Sequence, residues 1–298
     1  MLLQTSIDRQ IENLMTVASI PTLETGEIIS EKIDLSKNYR KFIANYYNRY
    51  LPARDANLDL FERLVTDLGE CSKLSKIFHD GVASRIDDLD QSSAIEFDVV
   101  IEEQTEKRKI MESGLGFLKA TSFDHYSMID LLVTDIVILP SKVAYGGSTS
   151  DGLGIIWANP NMNWRAVDTA EFLVHELTHQ CMFLDEICSS HYDYELILQE
   201  ENWSQSAILN KLRPVDKVLH SIAVATELLL FRERVGHPAS SRAHPPTTKL
   251  VQQLESSITS LMKLDREKPK LLKMRARAIL ENCAAHVASV ELEGELEI

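Results

Sequence analysis

The chain has 298 residues, with 31 Lys and Arg against 45 Asp and Glu, a net charge of −14, and 11 Gly, 9 Pro and 4 Cys. That length can bury a full core without help from disulfides or metals, and the composition excludes collagen-like, disordered and disulfide-scaffold classes. The acidic balance argues against nucleic acid and anionic membranes as partners, since both attract protein through basic patches.

The opening MLLQTSIDRQ lacks the basic and long apolar regions of a secretory signal. No apolar run reaches the ~18 residues of a membrane span. Cys71, Cys181, Cys188 and Cys283 form no CxxC pair, so the expected setting is reducing and cytoplasmic. The first 130 or so residues read as helices. In LSKNYRKFIANYYNRYL, Tyr39, Phe42, Ile43, Tyr46 and Tyr47 recur at helical spacing, and LDLFERLVTDLGECSKLSKIF repeats the pattern through Leu58, Phe61, Leu64, Val65 and Leu68. Then the character changes. TDIVIL and GIIWANP are short, apolar and β-branched, and the Gly- and Ser-rich stretch between them predicts two strands joined by a loop.

A helix is expected over AVDTAEFLVHELTHQCMFLDEIC, with Asp168 and Glu171 as a capping box. A polar, aromatic-dotted loop leads from it to Pro214. Beyond the proline, VDKVLHSIAVATELLLFRERVG has a helical period and stops at Gly236. Two last helices, LVQQLESSITSLMKL and KLLKMRARAILENCAAHVASVEL, are separated by a break at Lys268–Pro269. The fold class predicted is mainly α, an α+β protein with a small β element just before one distinctive helix. Residues 1–130 are expected to form a mainly helical N-terminal region and 131–298 a metal-binding catalytic region, either as two parts or as one continuous domain.

The distinctive helix carries His175-Glu176-Leu177-Thr178-His179. Residues i and i+4 share a helix face, so both imidazoles can grip one metal ion, and in hydrolases of this pattern the Glu activates a metal-bound water. The competing reading is a pair of surface histidines. Against it stand Leu173, Val174 and Phe183, which embed the pentapeptide in an apolar stretch. An open metal site needs a third ligand. Asp185 lies six residues after His179, but no intervening Gly lets the chain turn back. Glu200 and Glu201 fall in a loop-like stretch. His220, within an apolar helix beside Val218, Leu219 and Ile222, is the better candidate, because a buried imidazole needs partners for both nitrogens. Glu227 shares its face, as an outer acceptor or a ligand.

At these residues the chain resembles a family first described as peptide-modification proteins encoded beside ribosomally made precursor peptides. Its members carry HExxH and are regarded as 2-oxoglutarate-dependent peptide β-hydroxylases. The likeness runs through STSDGLGIIWANP, the helix EFLVHELTHQ and LRPVDKVLHSIAVATELLLFRE, where Arg213-Pro214 opens a helix bearing His220. It implies Fe(II) held by His175, His179 and His220, with 2-oxoglutarate and O₂ as cosubstrates and a peptide or amino-acid-derived substrate. A three-His set departs from the usual two His and one carboxylate of such oxygenases, which leaves the place of Glu176 and Glu227 open. The distal carboxylate of 2-oxoglutarate calls for an Arg. Arg213 is the first choice, and Arg232 and Arg234 read as a solvated helix end. Thr149 and Ser150 are candidate hydrogen-bonding groups for cosubstrate or substrate, and Trp157, Trp164 and Trp203 bracket the region. The alternative is a zinc metallopeptidase with Glu176 as general base.

Overall fold

The computed structural model of the protein describes residues 6–25, 32–46, 58–80, 95, 101–236 and 241–289. It is mainly helical with a few short strands, and none of its described helices is long and apolar enough to cross a membrane. The chain divides into two compact units, Ile7–Cys188 and the residues from Ser189 onward together with the first six. The expected division near residue 130 falls inside the first of these.

In the first unit, helices α1 (Ile7–Thr25) and α2 (Lys32–Tyr46) precede a segment expected to be continuously helical. There the chain makes a 3-10 turn at Leu60–Arg63, then strand β1 (Leu64–Val65), then α3 (Leu68–Leu74) and the short α4 (Lys76–Asp80). The apolar period of Leu64 and Val65 was therefore misleading. Both side chains are buried, and a run buried on both faces reads alike as helix or inner strand. The turn is closed by a capping box, Asp59 accepting from the Phe61 amide and Glu62 accepting from that of Asp59. Arg63 is buried, its guanidinium spread over the Leu58, Asp130 and Val133 carbonyls and the Asp130 carboxylate.

Helices α5 (Ile101–Thr121) and α6 (Phe123–Leu132) lead to β2 (Asp135–Ile138), β3 (Gly146–Gly147) and β4 (Ile155–Ala158). The sheet order is β1-β2-β4-β3. The two expected strands are present but pair in parallel, Asp135 opposite Ile155 through Ile138 opposite Ala158. The Gly-rich connection supplies β3, antiparallel to β4. Every residue of β2 and β4 is buried, as continuous apolar strands of a parallel pair should be.

Helix α7 (Ala166–Cys188) follows with the bounds the sequence predicted. Its start differs in detail. Asp168 sits three residues into the helix and reaches back to the Arg165 amide at 2.8 Å while pairing with the Arg165 guanidinium. It thus fills the inner position of a capping arrangement, not the cap itself. Helix α5 approaches closely at Gly114, where an added Cβ would stand 2.5 Å from Thr169 Cγ2. Gly154, at φ +86, turns the chain into β4 in a conformation that side-chain-bearing residues rarely take.

The second unit holds a short helix α8 (Tyr194–Ile197), a hairpin of β5 (Ser204–Gln205) and β6 (Leu212–Arg213), and helices α9 (Val215–Arg234), α10 (Thr247–Glu267) and α11 (Met274–Val287). Helix α9 is buried almost all round, and α10 and α11 pack on it and on each other. The Lys268–Pro269 break ends α10, and Gly236 at φ +79 follows α9, both as expected. The ends of two expected helices, residues 47–51 and 290–292, lie outside the described residues.

Candidate metal centre

Helix α7 presents the HExxH residues in two different environments. Leu177, Thr178 and Gln180 are buried, whereas His175 and His179 are only partly so. The helical offset of four residues sets the imidazoles one turn apart, ring centroids 5.0 Å apart and planes tilted by 58°, and brings their Nε2 atoms to 3.2 Å. Two nitrogens on one ion at 2.0–2.1 Å each stand about 2.9–3.4 Å apart, from octahedral to tetrahedral angles. The observed separation fits a shared ion and equally an N–H···N hydrogen bond. Phe183 stacks on His179 one further turn along, centroids 6.1 Å apart.

Glu176 is turned inward yet stays beside the pair, with Oε1 3.9 Å from His175 Nε2. Burial pushes its carboxyl from the ordinary 4.5 up to about 7, although the Ser148 hydroxyl, donating to Oε2 at 2.7 Å, works the other way. A carboxyl near neutrality beside two imidazoles can take or release a proton at physiological pH. Among the described residues no three His, Cys, Asp or Glu side chains form a ready metal cage; α7 supplies a two-nitrogen grip and a nearby carboxyl.

Two residues that place this grip carry no signal in the sequence. Gln180, fully buried and next to His179, accepts from the Gly154 amide at 2.7 Å and donates to the Ile155 carbonyl at 3.0 Å. It fixes the height and rotation of α7 against β4. Ser148 opens the Ser/Thr loop, one position before the pair that the sequence singled out. Thr149 instead has its hydroxyl on the Asp151 amide at the start of a 3-10 turn, and Ser150 is exposed. Of the aromatics, Trp157 is core, while Trp164 packs between Tyr145 and Phe172.

The remaining candidates sort by unit. Asp185 is held by α1, accepting from Asn13 Nδ2 at 3.2 Å with Arg9 Nε 3.9 Å away. In the second unit His220 is buried in α9. Burial, then the charges of Lys217, His191 and Arg213, push it well below the ordinary histidine range. Its imidazole is therefore neutral at pH 7, the form that ligates metals. His191, itself fully buried, is a neighbour that the sequence did not reveal. Arg213 is half-buried on β6, opposite Ser204. Glu227 is buried in α9, and Glu200 and Glu201 are exposed. Arg232 overturns its expected solvated place: it is 1% exposed, with Nη1 on the Thr247 hydroxyl. The start of α10 covers the helix end that dipole reasoning assigned to water. Arg234 is exposed as expected. No family model and no curated protein matches this chain.

Proposed function

We propose that the protein is an Fe(II)- and 2-oxoglutarate-dependent oxygenase that hydroxylates a residue, at Cβ, of a peptide or peptide-like substrate in natural-product biosynthesis. The observation that carries a metal-dependent reading is the convergence of His175 and His179 Nε2 at 3.2 Å on a partly open helix face. The choice of iron, 2-oxoglutarate and peptide rests on the sequence resemblance, which also assigns His220 as third ligand and Arg213 as the cosubstrate's anchor. When bound, iron with 2-oxoglutarate and O₂ supplies an oxidant able to cut an unactivated C–H bond, releasing succinate and CO₂.

The chain's own part is narrower. His175 and His179 offer lone pairs from a helix that Gln180 locks to β4. Glu176, held by the Ser148 hydroxyl beside the pair, is placed to take or hand on a proton there.

One observation favours a second reading. Glu176 Oε1 stands 3.9 Å from His175 Nε2, beside the ion the pair would hold, so a zinc peptidase would use it as the general base that activates water. Anaerobic reconstitution with Fe(II) followed by 2-oxoglutarate separates the two. The oxygenase gives a weak visible charge-transfer band, then succinate on admitting O₂. Tight zinc with neither signal, and cleavage of a peptide, would replace it by the peptidase. His220→Ala should abolish iron binding; full retention of metal and activity removes His220 from the ligand set.

A further inference from the structure

Strand β3 is the outer member of its sheet, and among the described residues it pairs only with β4. In an antiparallel ladder alternate residues turn their N–H and C=O toward the partner strand and away from it. The Asn159 amide donates to the Tyr145 carbonyl at 2.7 Å. With Gly146 opposite Ala158 and Gly147 opposite Trp157, that bond sets Tyr145 and Gly147 as the residues facing β4. Gly146 and Ser148 therefore turn their main-chain groups outward, and no described residue hydrogen-bonds to them.

Two features mark this edge; Gly146 itself is dictated by packing, since a Cβ there would stand 2.4 Å from Phe172 Cζ. Val143, Tyr145 and Met162 beside it are 73%, 46% and 48% exposed, large apolar groups on a stretch that also carries the Tyr145–Trp164 contact at 5.0 Å. Ser148, one of the two outward residues, has its hydroxyl on Glu176, the carboxyl beside the two histidines.

We propose that this edge is the substrate seat: an extended peptide adds as a further strand alongside Gly146–Ser148, with apolar side chains against Val143, Tyr145 and Met162. Outward N–H and C=O groups repeated at every second residue are matched by an extended polypeptide and not by a small anion or a compact metabolite. Ser148 then joins the seat to the site, because its backbone takes the peptide while its side chain holds Glu176. The inference rests on the peptide-modifying reading for the fate of the peptide, and on the sheet edge alone for where it sits.

The test uses the full chain loaded with Fe(II) and a pool of random octapeptides, N-acetylated and C-amidated, followed by hydrogen–deuterium exchange. Slowing by about tenfold or more, centred on 146–148, is the expected result, since one new hydrogen bond of about 1.4 kcal/mol is a factor of ten. The tightest peptide is then resynthesised with single N-methyl groups. Affinity should fall about tenfold at every second position and change little between. Val143→Asp with Met162→Asp, both at exposed positions, should weaken binding while leaving metal affinity unchanged. No pool-dependent protection, protection centred elsewhere, or no alternation in the N-methyl series would overturn the seat. So would slow exchange of the Gly146 and Ser148 amides without peptide, the sign that another part of the chain covers the edge; the Gly147 amide faces β4 and is no reporter. Succinate release is followed in parallel. Protection without iron-dependent turnover sinks the reaction and keeps the seat, and turnover with protection elsewhere does the reverse.

Discussion

Gln180→Leu tests how the metal-bearing helix is held. The wild-type amide is fully buried and serves two main-chain groups, the Gly154 N–H and the Ile155 carbonyl. Leucine fills nearly the same volume, so the change removes the hydrogen bonds and leaves little cavity. Each orphaned buried group costs about 1–3 kcal/mol, and the apolar side chain returns roughly 1 kcal/mol by being easier to desolvate. The expected net loss is about 1–5 kcal/mol, read as a lower urea midpoint at unchanged slope. Because the substitution also frees α7 to rotate against β4, Co(II) or Zn(II) affinity should fall with stability even though no ligand has changed. A loss below about 0.5 kcal/mol, the range of ordinary surface substitutions, would refute the argument that this side chain fixes α7.

Gly114→Ala probes the packing of α5 on α7. The new Cβ would meet Thr169 Cγ2 at 2.5 Å and Cβ at 2.6 Å, an overpacking of about 1–3 kcal/mol that outweighs the 0.5–1 kcal/mol alanine gains in a helix; a thermal melt showing stabilisation would mean the helices separate freely. Glu176→Gln reports on the buried carboxyl in chelator-treated protein. Its folded pKa is raised from 4.5 to about 7, so in that window the folded chain holds a proton the unfolded chain has released, and stability falls as pH rises. Full passage through the window is worth roughly 3 kcal/mol, so the variant should be more stable than wild type at pH 8.5 and equal to it below pH 4.5. Parallel pH profiles of the urea midpoint for the two proteins would contradict a raised carboxyl. His179→Ala should lower first-site metal affinity by at least tenfold while preserving the helical circular dichroism, since His179 is partly exposed; unchanged binding would move the metal elsewhere.

Much of the architecture was legible because local rules and tertiary demands agreed. The bounds of α7, the start of α9 after Pro214 and the stop at Lys268–Pro269 follow from apolar period, proline and glycine, all of which act within a few residues. Leu64 and Val65 failed for the converse reason: their strand state depends on β2, some 70 residues away, with Leu64 opposite Ile136. The direction of the β2–β4 pair was equally invisible, since two short apolar strands can pair either way and only the path between them decides. Arg232 was misplaced because its cover comes from Thr247, on a different helix.

At the candidate centre the sequence by itself determined the two-histidine grip, because a four-residue offset on a helix is a local geometric fact. It also supplied the carboxyl and the strand before the helix. Tertiary structure alone decided what those groups experience. Ser148 reaches Glu176 across 28 positions and Gln180 reaches Gly154 across 26, and burial, not residue type, lifts Glu176 toward neutrality. Periodicity and spacing encode which side chains share a helix face; hydrogen bonds and desolvation across distant segments set their chemistry, and those arise only when the sheet and helices meet.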